Sequence, residues 1–249
     1  MPLAATGLRP FMRSVVITSV LLVAMVSRAS AYVVVLNAIK TGLYSSNGGY
    51  DGFSYVTGIQ LSWAAEMRGF VAFDLSSLIS GTVQSAVLSV ANPESVNQVG
   101  PNDPLELRLF GLTTMDAANA GGPGQTTTNA ANFAYIGGGL APHYATQMVN
   151  PLSAPAPVVF SLTGQALTDL ETALQTHDAF TAFGFKIIKA DAQEPKPLQY
   201  VFGGTDLGGT VTLTLDVTPV PEPAAAGLLP AALLLSCRRR RAGRSATEE

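Results

Sequence analysis

Thr210-Val-Thr-Leu-Thr-Leu-Asp-Val217 alternates polar and apolar side chains without a break, and only one local structure fits that period. Successive side chains of a strand point to opposite faces. The run therefore makes a ribbon with Val211, Leu213, Leu215 and Val217 on a buried side and Thr212 and Thr214 on a wetter one. Leu105-Glu-Leu-Arg-Leu109 repeats the pattern, and Arg68-Gly-Phe-Val-Ala-Phe-Asp74 sends Gly69, Val71 and Phe73 one way and Arg68, Phe70 and Ala72 the other. Val33–Lys40, Ser85–Ala91, Pro157–Leu162, Phe183–Ile188 and Leu198–Phe202 are further strands, separated by stretches rich in Gly, Pro and Asn. Short strands joined in this way predict a mainly β chain, an antiparallel β-sandwich of jelly-roll-like kind.

One or two short helices interrupt the strands. In Gly164–Gln175, Leu167, Leu170 and Leu174 recur at spacings of three and four, which predicts an amphipathic helix closing one end or edge of the sandwich. Thr163 is its expected N-cap. Ser76–Ile79 is expected to form a further short turn of helix. Residues 116–156, rich in Gly, Ala, Asn, Thr and Pro, read as a loop-rich insertion, on the surface or partly disordered.

The two ends of the chain are of another kind. Arg9 and Arg13 precede the apolar run Val15–Val26, and Ala29-Ser30-Ala31 follows. A basic segment, about a dozen apolar residues and a small-residue exit are the parts of a secretory signal peptide. Residues 1–31 are expected to be such a leader, helical in its apolar part, cut after Ala31 and read by the export machinery. At the other end stand Pro221-Glu222-Pro223, an apolar run from Ala224 to Cys237 broken by Gly227 and Pro230, and then Arg238, Arg239, Arg240 and Arg241. Pro221 and Pro223 impose an extended approach to the apolar run, and the arginines are expected to stay on the cytoplasmic side. Over residues 219–249 this order resembles the PEP-CTERM sorting signal of secreted bacterial proteins. That resemblance implies an exosortase-type membrane protease as partner, a short membrane-inserted sorting helix, and release to the cell surface or extracellular space. Pro230, Cys237 and the added Ala242–Glu249 depart from the smoother run usual in that family, and a plain single-pass tail anchor is the alternative.

Between the two ends, residues 32–218 form one expected extracellular domain. Residues 32–219 carry fourteen acidic side chains against six basic ones, a net charge of −8. Such a body repels a phosphate backbone, so no nucleic-acid partner is expected. The single cysteine is Cys237, outside the body, so neither disulfides nor cysteine metal ligands are available there. Glu66–Leu78 followed by Gly81–Val90 is similar to the opening strands of secreted β-sandwich domains, carbohydrate-binding modules and uncharacterised bodies of PEP-CTERM proteins among them. Phe183-Gly-Phe185 and Tyr200–Gly204 are similar to their closing strands. These are apolar strand patterns. They imply placement at a surface or in a matrix and carry no chemistry.

Chemistry is sparse. His143 and His177 have no adjacent triad or metal-ligand pattern, and neither Gly-x-Ser-x-Gly nor a phosphate loop is present. The glycine clusters 119–124 and 137–139 read as flexible loop. Glu66 and Asp74 bracket one strand and are held too far apart to act as a glycosidase pair. No catalytic residue, cofactor or metal is expected, although Asn47, Asp51 and Asp103 are oxygen donors of the kind calcium takes. The segment around Tyr50, Asp51, Phe53, Tyr55 and Trp63 sets aromatic rings beside hydrogen-bonding groups, as a sugar-binding face would. The preferred reading of Phe53, Tyr55 and Trp63 is that they pack into the sandwich core. The expectation is an exported surface or matrix protein with a structural or adhesive role. A polysaccharide-binding module is the alternative, and a secreted glycan hydrolase a weaker one.

Overall fold

The computed structural model describes residues 30–60, 65–93, 95–97, 103–112, 124–150, 156–188, 199–202 and 210–220. The expected signal and sorting helices, with Ala29, Pro221, Glu222, Pro223 and Arg238–Arg241, lie outside the described residues. Ala31 through Val220 is one compact unit containing its own hydrophobic core.

Its strands are β1 (Tyr32–Asn37), β2 (Lys40–Ser45), β3 (Tyr50–Asp51), β4 (Thr57–Gln60), β5 (Ala65–Asp74), β6 (Gly81–Val90), β7 (Val96–Asn97), β8 (Leu105–Gly111), β9 (His143–Val149), β10 (Val158–Leu162), β11 (Phe180–Ile188), β12 (Gln199–Val201) and β13 (Val211–Pro219). Two helices, α1 (Thr126–Tyr135) and α2 (Gln165–Thr176), complete the described elements. A four-stranded sheet runs β1-β13-β6-β10, and a nine-stranded sheet runs β7-β12-β4-β5-β11-β8-β9, with β2 on β5 and β3 on β2. All strand pairs are antiparallel. The chain is thus mainly β, an open antiparallel sandwich.

The alternation read from the sequence places the core. Val211, Leu213, Leu215 and Val217 are buried and the residues between them half-buried. They meet Leu88 and Val90 of the small sheet and Val71, Phe73, Leu107, Leu109, Phe183 and Phe185 of the large one in a single cluster. The β5 strand is buried on both faces. Val71 and Phe73 belong to that inter-sheet core, whereas Phe70 and Ala72 join a second cluster with Tyr44, Phe110, Leu112, Ile136 and Ala141 on the other side. A nearly continuous apolar run is the mark of a strand covered on both faces.

The cover on that second face comes from residues expected to be a loose insertion. Within 116–156, helix α1 and the turn after it are packed onto the large sheet, with Asn129, Ile136 and Ala141 buried, and β9 joins that sheet as its edge strand beside β8. Thr126-Thr-Thr-Asn-Ala-Ala-Asn-Phe-Ala-Tyr135 is poor in strong helix formers and has no side-chain N-cap. Tertiary contacts hold it instead. Arg68 Nη1 donates to the carbonyls of Phe133 (2.7 Å) and Ile136 (2.6 Å), and its guanidinium lies 3.9 Å from the centre of the Phe133 ring. Lys186 Nζ donates to Gly137 O at 3.2 Å. Two cations thus sit at the carbonyl end of the helix, where its dipole favours positive charge.

Two smaller expectations change. Ser76–Ile79 is a turn, closed by Leu78 N–H to Leu75 O, and Asp74 Oδ1 accepts from Ser76 N. Thr163 is not the N-cap of α2. That position is taken by Gly164 at φ 55°, a left-handed conformation, and no side chain caps the helix. The apolar stripe of α2 does bury, through Ala166, Leu170, Ala173 and Leu174. The helix packs on β6 and β11.

Candidate functional site

Strand β2 ends at Ser45, and a tight turn returns the chain to β3. Gly48 N donates to Ser45 O, Ser45 N to Gly49 O, and Asn47 Oδ1 accepts from Ser45 Oγ (2.5 Å) and Gly49 N (3.2 Å). Gly48 has φ 83°, and a Cβ there would lie 2.3 Å from Thr126 Cγ2 at the start of α1, so glycine is required twice over. Asn129 on the same helix donates from Nδ2 to Gly48 O at 3.2 Å. Helix and turn therefore fix each other.

Three aromatic rings stand behind this turn. Phe70 is fully buried on β5. Tyr44 stacks on it at 5.1 Å between centroids, and Tyr50 lies 5.5 Å from Tyr44 and 6.5 Å from Phe70. Tyr50, half-buried, brings the stack to the surface. Burial raises its phenol pKa, and the neighbouring Asp51 charge adds to that. Asp51 Oδ1 accepts from Phe53 N at 2.8 Å, closing a short turn that presents Phe53, 78% exposed. Tyr50, Asp51 and Phe53 thus bring a half-buried ring, a carboxylate and an exposed ring into one short surface segment.

The other two residues expected with them are not part of it. Tyr55 is a correction. It is fully buried between the sheets, 5.7 Å from the Phe202 ring, its hydroxyl donates to Ala91 O at 3.3 Å, and burial pushes its pKa up to about 12. A ring with no exposed face cannot stack on a sugar. Trp63 lies outside the described residues. The members that sequence reading missed are Tyr44 and Phe70 beneath Tyr50, and Asn129 bracing the turn. Phe70 gave no separate signal because it read as an ordinary strand residue, and Tyr44 gave none because Lys40–Ser45 has no alternation to mark it as a strand.

The remaining candidates are dispersed. His143 is exposed beside Thr146 Oγ1, with 3.1 Å to its Nε2. His177, also exposed, ends α2 at φ 57° with its Nε2 3.4 Å from Ser80 Oγ, and that hydroxyl donates to Leu174 O. Glu66 pairs with Arg68 at 2.9 Å while Asp74 holds the Ser76 turn, so β5 keeps the two carboxylates at its opposite ends. Among the described residues, no three His, Cys, Asp or Glu side chains gather as metal ligands. Tyr144 donates a short hydrogen bond to Asp169, which also accepts from Gln165 Nε2 at 2.6 Å. Burial first, and Asp169 second, raises the Tyr144 pKa, and the pair ties β9 to α2.

Where the chain leaves the body also bears on the site. Tyr32 lies opposite Val217, and Val220 N donates to Ser80 O at 3.2 Å. The start of β1 and the end of β13 are therefore at one end, beside the β5–β6 connection. Ser46 N donates to Glu66 O, so the turn carrying Tyr50 sits at the other end of β5. Among protein-family models none matches this chain, and no curated protein matches it either.

Proposed function

We propose that the chain is an exported component of the cell surface or extracellular matrix, structural or adhesive and without catalysis, sorted through its tail by an exosortase-type protease. The observation that carries this reading is the order Pro221-Glu222-Pro223, apolar run, Arg238–Arg241, together with the leader ending at Ala29-Ser30-Ala31. The body fits the role in two ways. Its core lies within the single unit Ala31–Val220, so it keeps its fold once both ends are removed. The turn bearing Tyr50 and Phe53 lies at the end of β5 remote from Val220, away from the point where the chain leaves the body. Intact-mass analysis of the protein from its source cells, fraction by fraction, tests the reading. A released form beginning at Tyr32 and ending near Pro221–Pro223 is expected. A membrane-bound form ending at Glu249 would leave a plain tail anchor, and an intracellular form retaining Met1 would end the proposal.

Polysaccharide binding is the second reading, favoured by the exposed Phe53 and half-exposed Tyr50 over a buried aromatic stack. A ring held as Tyr50 is, against Tyr44 and Phe70, loses little freedom on binding. A glycan array on residues 32–220, with Tyr50→Ala as control, decides it: signals that persist in the variant do not come from this surface.

A further inference from the structure

We propose that two copies of the body associate edge to edge through β1, joining their four-stranded sheets into one continuous sheet about a two-fold axis at Val35. Strand β1 ends the order β1-β13-β6-β10, so one of its sides has no described partner. Its residues, Tyr32-Val-Val-Val-Leu-Asn37, include no charge, proline or glycine, the usual devices that stop an edge from pairing. Val33 is 66% and Val35 58% exposed, while Tyr32, Val34 and Leu36, facing the core, are only half-buried. The other ends of the sheets are less open. Strand β7 has two residues, β9 pairs through a bulge at Leu109/Phe110, and β10 packs beside β9 of the opposite sheet.

The register makes a second copy the fitting occupant. Ala38 N donates to Val211 O, and Ile39 N turns away to Ala72 O. Along an antiparallel strand this alternation continues, so Tyr32, Val34 and Leu36 bond towards β13. The amides and carbonyls of Val33, Val35 and Asn37 then point to the free edge, and no described residue takes them. A two-fold axis perpendicular to the sheet at Val35 sets Val35 opposite Val35 of the second copy and Val33 opposite its Asn37. Each of these is a hydrogen-bonded pair exchanging both N–H···O bonds. The same axis keeps the inner faces on one side, so the half-buried Tyr32, Val34 and Leu36 of the two copies extend one core. A register displaced by one residue would bring bonded groups against unbonded ones. Homotypic pairing of this kind supplies the adhesive or structural step that the proposed function leaves open.

The inference rests on that reading in one respect, since the edge is the one left when the chain begins at Tyr32. The test therefore uses residues 32–220 made without leader or tail, so that failed association is not confused with failed export. Sedimentation velocity across a concentration series should show a dimer in the micromolar range. Val35→Lys places like charges on the axis and should weaken it by at least about tenfold, with circular dichroism unchanged because position 35 faces solvent. A body that stays monomeric, or a dimer that survives Val35→Lys, overturns the proposal. Cysteine substitution checks the register in a body that has no other cysteine. Facing Cα atoms about 5.5 Å apart suit a disulfide, so Val35→Cys should cross-link to itself under diamide. Val33→Cys should not, its two copies being some four residues, roughly 13 Å, apart along the strands, but it should cross-link to Asn37→Cys in a mixture. Self-linking of Val33→Cys, or none by Val35→Cys, would refute this pairing.

Discussion

Replacing Arg68 by methionine tests whether one side chain fastens α1 to the sheet. The side chain is 9% exposed, donates 2.9 Å to Glu66 from Nε, and donates 2.7 and 2.6 Å to the last carbonyls of the helix from Nη1, with the Phe133 ring 3.9 Å away. Methionine fills much the same volume, so cavity formation contributes little. What is lost is two hydrogen bonds from a charged donor, each on the order of 1.5–3 kcal/mol, and a partly desolvated cation–π contact of about 1 kcal/mol. Release of a buried charge offsets some of this, and the carboxylate of Glu66, a third exposed, turns to water. A net loss of about 3 kcal/mol follows, a large share of the roughly 5–15 kcal/mol available to a domain. Urea unfolding of residues 32–220 followed by circular dichroism measures the total. Hydrogen exchange locates it: amides of 126–135 should lose protection while those of β13 keep theirs until global unfolding. Arg68→Lys keeps the charge but not the planar fork, and should fall between the two. Stability within about 0.5 kcal/mol of wild type for Arg68→Met, or uniform loss of protection, would show that the helix is held by apolar packing alone.

Leu213→Lys buries an unpaired ammonium at a fully buried position of β13 and should cost several kcal/mol, about the whole margin of the domain; an unchanged melting temperature would remove β13 from the core. Gly58→Ala strains a φ of 124° and sets a Cβ 2.0 Å from Gln199 O. It should cost about 2 kcal/mol and first expose the β4–β12 amides to exchange, and wild-type protection there would contradict the close approach. Alkaline pH should weaken the body: burial holds Tyr55 at about 12 and also raises Tyr44 and Tyr144. A phenol with a folded pKa above its unfolded value near 10 stabilises fully below pH 10. That contribution fades as pH rises through the folded value. Urea midpoints should therefore be level from pH 7 to 9 and fall beyond 10, less so in Tyr55→Phe; a midpoint constant to pH 11.5 would refute the argument.

How far the sequence discloses this protein depends on how local each cause is. The face assignment of β13 is legible because alternation is a property of neighbours, and Leu213 is buried whichever strands lie beside it. Strand β5 is half legible. Its alternation reads as a half-buried strand, and nothing nearby reveals that Phe70 and Ala72 are covered by residues 126–141, some sixty positions later. The helix that does this escapes notice because Thr126–Asn129 has weak helical preference, and its stability comes from Arg68 and the Gly48 turn. Strand β2, Lys-Thr-Gly-Leu-Tyr-Ser, fails for a similar reason: buried on both sides, it has no alternation to read. The aromatic cluster divides on a nonlocal question too. Tyr50 and Tyr55 are five residues apart and chemically alike, yet Tyr50 tops a stack beside α1 while Tyr55 passes between the sheets. Only the crossing of the chain from one face of the large sheet to the other separates them. The terminal motifs contrast with all of this. The proposed sorting of the chain rests on residue order alone: Ala29-Ser30-Ala31 after one apolar run, and Pro221-Glu222-Pro223 before another that ends at Arg238–Arg241. A proposal of that kind can be drawn from neighbouring residues, whereas a binding surface or an open edge such as β1 exists only after distant strands have taken their places.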